Sequence, residues 1–327
     1  MPEKPKVAFY WCASCGGCEE SVVDLAENIL DVLAAVDIVF WPVAMDFKKS
    51  DVEELPDGSI AASFINGAVR TSEQEEMAHL LRRKSSYIIA YGSCAHLGGI
   101  PSLTNQFERE EILNYVYHEA PTVENPDGVR PQQRHGTNGS SVRLPEFRHT
   151  VRALDQVIDV DLYLPGCPPT PKLLLAAVKA LLSGEVPPHG SVLAPDLALC
   201  DECPRKDTKP SDLQFTQFKR PHWTEIDPDL CLLAQGIVCM GPATRAGCEA
   251  LCIRGNMPCT GCFGPPPHVK DQGAKILTAL ASPAKGTEPG AIDEVLSSIP
   301  DPVGTFYRYA LAKSLLRGKV PPPPPQE

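Results

Sequence analysis

The sequence contains no run of about 18 apolar residues, so no segment is expected to cross a bilayer as a helix. No leader is expected either. MPEKPKVAFYW has no charged stretch followed by an apolar one and no twin-arginine pair, so the expectation is a cytoplasmic protein without direct membrane insertion. A basic excess is missing as well. With 30 Lys and Arg against 41 Asp and Glu, the net charge of −11 leaves nothing to neutralise a phosphate backbone, which excludes nucleic acid as a partner. The acidity serves solubility. No internal repeat is present beyond the recurrence of C-x-x-C.

Cysteine is what the chain has in excess, with 13 in 327 residues. In a reducing compartment, cysteines in short-spaced pairs are metal ligands or redox groups more often than structural disulfides. At this length the chain can bury two cores of ordinary size.

The two halves are patterned differently. Residues 6 to about 184 alternate β-type runs with amphipathic helices, as βαβ units do. Strands are expected over 6–11, 37–45, 60–69, 87–95 and 160–171, and helices over 19–36, 72–84 and 172–184. In the first helix Val22, Leu25, Ile29 and Leu33 share one face, and Glu19 and Glu20 sit in the first turn, where the dipole favours negative charge. Gly184 marks the end of the last helix. The fold class is α/β, a flavodoxin-like open parallel sheet in residues 1–189. A cysteine-rich, mostly irregular domain follows over 190–327, with a helix expected near its end, over 305–318. Residues 119 to 147, rich in Pro, Gly, Asn and Ser, form a long surface insertion. VPPPPPQE closes the chain as a solvated polyproline tail.

Cysteines mark the strand ends. Cys12, Cys15 and Cys18 follow the first strand, Cys94 the fourth and Cys167 the fifth, and the crevice of an open parallel sheet lies at those ends. Gly beside Cys94 and Cys167 lets backbone approach a bulky inorganic body. The second half holds eight more: Cys200, Cys203, Cys231, Cys239, Cys248, Cys252, Cys259 and Cys262. Two four-thiolate sites account for all eight. Structural zinc is the rival. Against it, six cysteines crowd into residues 231 to 262 with little regular structure, a segment that two iron-sulfur cubanes would organise in place of an apolar core.

The motifs CGGCEES, YGSCAHLGGIPSLTN, LPGCPPTP, CLLAQGIVCMGPATRAGC and PCTGCFGP, in this order, resemble the small, electron-transfer subunit of nickel-iron hydrogenases, in its cytosolic, methyl-viologen-reducing branch. The resemblance implies three 4Fe-4S clusters. Cys15, Cys18, Cys94 and Cys167 match the ligands of the proximal one, Cys200, Cys203, Cys231 and Cys239 those of a distal one, and Cys248, Cys252, Cys259 and Cys262 those of a medial one. It places the nickel site, and hence the catalytic residues, in a separate large subunit. The acceptor it implies is an iron-sulfur or flavin-containing subunit, linked to a heterodisulfide reductase complex or else reducing a nicotinamide. Membrane-bound relatives have histidine where Cys200 stands, and some have proline at the place of Cys252. The related quinone-reductase subunit shares the first half, but its adjacent cysteines and single cluster do not match Cys15-x-x-Cys18 and eight downstream thiols.

Three residues near these motifs have ordinary readings. Cys12 is expected to be a buried strand residue outside the ligand set, His96 to satisfy a backbone carbonyl, and Glu19 to act as a helix amino-terminal charge with a place on a proton path as its alternative.

Overall fold

A computed structural model describes residues 4–137, 140–214, 217–281, 295 and 297–316. Ten strands are formed among them: β1 (Lys6–Trp11), β2 (Asp37–Phe40), β3 (Ile60–Asn66), β4 (Val69–Thr71), β5 (Ser85–Tyr91), β6 (Arg134–Thr137), β7 (Ser140–Arg143), β8 (Phe147–Arg152), β9 (Leu162–Leu164) and β10 (Ser191–Val192). Six make one sheet in the order β10-β9-β5-β3-β1-β2, and every pairing in it is parallel. Counted along the chain, those strands run 2-1-3-4-5-6, the flavodoxin-like order, with the switch point between β1 and β3.

Both faces of the central strands are apolar, as a doubly covered parallel sheet requires. Val7, Phe9, Ala62, Phe64, Ile89 and Tyr91 pack on one side with Val22, Leu174 and Val178 of the helices Gly17–Val23 and Pro171–Ser183. Their neighbours Ala8, Ile65, Ile88 and Ala90 pack on the other, against Met77, Ala78 and Leu81 of the helix Ser72–Lys84. That helix spans the residues expected of it. It begins in a capping box, in which Thr71 Oγ1 accepts from the Gln74 N–H and the Gln74 side chain accepts from the Thr71 N–H.

Several expected elements are shorter or broken. The helix over 19–36 is two, Gly17–Val23 and Asn28–Ala35, because Ala26 turns to φ +49° between them. The turn lets Leu25 into the core at 2 % exposure but leaves Leu33 outside. The strand over 37–45 stops at Phe40, where Trp41 starts a turn. The strand over 60–69 is interrupted at Gly67, after which β4 leaves the sheet to pair antiparallel with β8. The strand over 87–95 gives way to a helical turn Ser93–Leu97, and that over 160–171 contracts to β9. The insertion carries order of its own, an antiparallel hairpin β6–β7. At its base, Arg130 donates to His118 Nε2 (2.9 Å) and Asn114 Oδ1 (2.8 Å).

The second half has few regular elements but does own an apolar core. Leu199, Phe218, Leu233, Ile237, Ile276 and Phe306 are all buried in one cluster. The expectation that clusters replace such a core is therefore corrected. In place of the helix over 305–318 stand a short helix Pro302–Phe306 and a 3-10 turn Leu311–Lys313. This segment returns to the first half: the Gly99 N–H donates to Tyr309 O and Gln156 Nε2 to Ala312 O. The polyproline tail lies outside the described residues. No helix among the described residues is long and apolar enough to cross a membrane.

Because Leu81 is fully buried and Leu30 is 66 % exposed, Leu81→Ala should cost about 2–5 kcal/mol of stability, whereas Leu30→Ala should shift the denaturation midpoint little. Urea titrations followed by circular dichroism compare the two.

Candidate metal centres

The carboxyl ends of β1, β5 and β9 bring four thiols together. After β1 the chain crosses to Asn66, whose carbonyl accepts from the Cys12 N–H at 2.8 Å. It then turns through Gly16 (φ +89°) into the helix Gly17–Val23, which sets Cys15 before its first turn and Cys18 within it. Cys94 lies in the turn Ser93–Leu97 and Cys167 in the Gly-Cys-Pro-Pro loop after β9. The Ser93 N–H ties these two loops by donating to Gly166 O at 2.7 Å.

The four thiols act on one another. Burial is the main reason the Cys18 thiol is pushed above its ordinary range, and Cys94, Cys167 and Cys15 add to it. Burial with Cys167 and Cys15 pushes Cys94 up to about 12, and burial with Cys15 raises Cys167. Cys12 stands apart. Its thiol is raised by burial with no contribution from another cysteine, and it packs with Ala8, Phe40 and Val52 on the opposite face of the sheet from Cys18. Backbone crowds the group closely: a Cβ on Gly92 would lie 2.4 Å from Cys18 Sγ, and one on Gly99 2.4 Å from Cys94 Sγ.

The eight downstream thiols divide four and four. Cys200, Cys203, Cys231 and Cys239 line one small cleft together with Arg205 and Lys209. Burial and Cys239 push Cys200 up to about 12; burial pushes Cys239 up to about 11, against hydrogen bonds from the Gly241 and Cys259 N–H groups. Arg205, 4 % exposed, holds the loops of this group with main-chain contacts alone save one. It donates to the carbonyls of Asp227, Leu230 and Ile253 and to Asn256 Oδ1. Cys248, Cys252, Cys259 and Cys262 line a second cleft of about 290 Å³, which Cys167 also lines. Glu202 fixes its rim by accepting from the Gly247 N–H at 3.1 Å.

The three groups stand in a row. Cys167 lines the cleft of Cys248, Cys252, Cys259 and Cys262, and Cys259 packs in one cluster with Cys239, whose neighbour Met240 donates its N–H to Cys259 O at 2.9 Å, so the group of residues 248 to 262 lies between the other two. Spatial order therefore differs from chain order.

All-thiol donor sets suit a polynuclear iron-sulfur body, and their spacing is not that of a zinc site. Tetrahedral zinc with Zn–S of about 2.3 Å holds its sulfurs about 3.8 Å apart. Among the described residues no three thiols have their sulfurs within 4.8 Å of one another; the one cluster that meets that limit is Asp159, Asp161 and His189, at the surface. Four thiols not drawn to the spacing of a single ion are what a cubane needs.

Glu19 is more than a helix-end charge. Its carboxylate is buried at 6 % exposure and accepts from the Trp41 indole N–H and from Asn66 Nδ2. Burial raises its carboxyl, while those two donors lower it. His96 is buried with its ring on Tyr163 (4.6 Å), and its Nδ1 has no hydrogen-bond partner, so the expected carbonyl contact is not made there. Desolvation, with Lys313 and Arg245 nearby, holds its pKa far below the usual imidazole range. Ser93 and Arg205 went unremarked in the sequence. Ser93 lies inside the GSC motif, but nothing in the sequence marks Arg205.

The chain matches the family model described as "NADH ubiquinone oxidoreductase, 20 Kd subunit" over residues 15–181. It is 37 % identical over 318 residues to the iron-sulfur subunit of the F420-non-reducing hydrogenase of Archaeoglobus profundus, covering 96 % of this chain and 98 % of that one. To a subunit of the F420-non-reducing hydrogenase of Methanothermobacter thermautotrophicus it is 38 % identical over 323 residues, 98 % of each chain. The solved [NiFeSe] hydrogenase from Desulfovibrio vulgaris Hildenborough superposes with a TM-score of 0.52 at 19 % identity, covering 81 % of this chain and 95 % of that chain, which speaks to the fold alone.

The cradle yields a direct test. Gly92→Ala adds a methyl 2.4 Å from Cys18 Sγ at a residue with φ +86°, whereas a methyl on Gly184 meets nothing. Gly92→Ala should lose the iron of the first group and keep that of the other two; Gly184→Ala should keep all of it. Iron analysis with electron paramagnetic resonance reads both.

Proposed function

The chain belongs to the family of nickel-iron hydrogenase small subunits that includes those of the F420-non-reducing hydrogenases, and on that premise we propose that it conducts electrons through three 4Fe-4S clusters. Twelve of its thirteen cysteines would be the ligands. Cys15, Cys18, Cys94 and Cys167 would hold the proximal cluster, Cys248, Cys252, Cys259 and Cys262 the medial one, and Cys200, Cys203, Cys231 and Cys239 the distal one. The observation that carries this reading is the row of three four-thiol groups, none of which among the described residues has the close spacing of a single zinc site. The clusters would supply one-electron storage at potentials set by their charge, hydrogen bonds and exposure. The chain's own part is to fix the thiols, surround them with backbone N–H donors and keep neighbouring groups in contact.

The large subunit would sit against the carboxyl edge of the sheet. Trp11 and Ile100, close in sequence to Cys15 and Cys94, and Val43 and Met45, which follow β2, are exposed at 36–49 %, and apolar side chains in that position suit a permanent interface. Electrons from hydrogen oxidation would enter at that end and leave from the cleft of Cys200 and Lys209. The acceptor would be an iron-sulfur or flavin-containing subunit of a complex linked to heterodisulfide reductase, and a cytoplasmic setting agrees with the many free thiols.

Anaerobically purified complex should carry about twelve irons and as many acid-labile sulfides on this chain. Cys12→Ala should keep all three clusters and lose only packing energy, on the order of 1–2 kcal/mol. Cys15→Ala should lose the proximal cluster and hydrogen-dependent dye reduction. Equal losses in the two variants, or zinc in place of iron, would refute the assignment.

A further inference from the structure

Ser93 is 1 % exposed and directly precedes Cys94. It touches three cysteine loops at once. Its N–H donates to Gly166 O (2.7 Å), one residue before Cys167, and its hydroxyl lies within hydrogen-bond reach of both Gly166 O (2.8 Å) and Cys262 O. A serine hydroxyl has one proton to give. Gly166 O already receives the Ser93 amide, so the hydroxyl proton is free for Cys262 O, in the other half of the chain. That bond holds the Cys262 loop against the Cys167 loop. Leu97, Tyr309 and Ala310 are buried at this joint, and Cys167 and Cys262 pack against them.

We propose that Ser93 is the positioning residue for electron transfer between the first and second cysteine groups. The route it holds is short. Cys167 and Cys262 pack against the same residues and line the same cleft, so the two groups meet at these two cysteines. One electron leaves the group at Cys167, which is oxidised, and enters the group at Cys262, which is reduced; no proton or heavy atom moves. Hydrogen oxidised at the catalytic partner supplies the electron, and the next group receives it. Removing the hydroxyl leaves each group its four cysteines but frees the Cys262 carbonyl, so the Cys167 and Cys262 loops separate and the distance between the two groups grows. The Cys262 carbonyl also loses a buried donor, which disfavours the closed joint. This inference rests on the cluster reading above and goes beyond it by naming a residue that binds no metal.

The test uses the whole anaerobic complex with Ser93→Ala and Ser93→Thr. Both variants should keep their iron, and Ser93→Ala should keep hydrogen–deuterium exchange, which needs no long-range transfer. After rapid mixing with hydrogen and freezing, the signal of the second cluster in Ser93→Ala should appear at least about tenfold more slowly, and its magnetic coupling to the first should weaken; Ser93→Thr, which keeps the hydroxyl, should restore both. Unchanged kinetics and coupling in an iron-replete Ser93→Ala complex would overturn the proposal, as would loss of iron from both groups, which would make Ser93 merely structural. A wild-type chain without iron at these cysteines would overturn the cluster reading itself, and this inference with it.

Discussion

Thiolates gathered in a buried pocket repel one another, and burial already disfavours each one singly. Cys18, Cys94, Cys200, Cys239, Cys259 and Cys262 are all held above the ordinary thiol range by burial, with neighbouring cysteines adding to it in each case. Such groups ionise together only when a cationic body takes the charge, so loading a cluster and releasing thiol protons are one event. The chain opposes the penalty where it can. Main-chain N–H groups of Ile100, Gly241, Gly261, Ala250 and Leu251 donate to Cys94, Cys239, Cys259 and Cys248, and each such bond favours the thiolate. Because the donors are backbone, they arrive only if the loops have the right path, and the loops depend on the sheet and the second core.

The sheet meets that demand in the first half by topology. Parallel strands put all their carboxyl ends on one edge, so residues about 80 and 150 positions apart in the chain come together without long loops between them. Gly92 and Gly99 then let main chain pass against sulfur where any side chain would collide. In the second half no sheet is available, and the work passes to the apolar cluster around Ile237, Ile276 and Phe306 and to the single guanidinium of Arg205. A buried arginine without a carboxylate is costly in isolation. Here four oxygen acceptors surround it, three of them carbonyls, and they belong to loops of both downstream groups, so it fixes Cys203, Cys231 and Cys252 relative to one another.

Much of this was legible in the residues. The sheet, the helices 72–84 and 172–184 and the strand-end positions of Cys94 and Cys167 follow from periodicity and punctuation, which are local properties. The breaks were not legible. Nothing in AENILDV announces that Ala26 adopts a positive φ, the turn beside which Leu25 is buried. The second half hid its core because its apolar residues, Leu199, Phe218, Leu233 and Ile276, are spaced with no fixed period and meet only in three dimensions. Glu19 read as a surface charge because its partners, Trp41 and Asn66, follow other strands.

Chain order and spatial order differ for a physical reason. Residues 200 to 239 are laid down first at the far end, and residues 248 to 262 then return to the space between them and the sheet. A segment that closes a gap touches both walls, and this one does so with its main-chain carbonyls, Cys262 O accepting from the Ser93 hydroxyl and Cys259 O from the Met240 N–H. Side-chain bridges would cost rotamer entropy and tie each contact to one residue type. Peptide groups are already ordered with the loops that carry them. The middle group is thus registered to its neighbours through the main chain of its own cysteines, Cys259 on one side and Cys262 on the other.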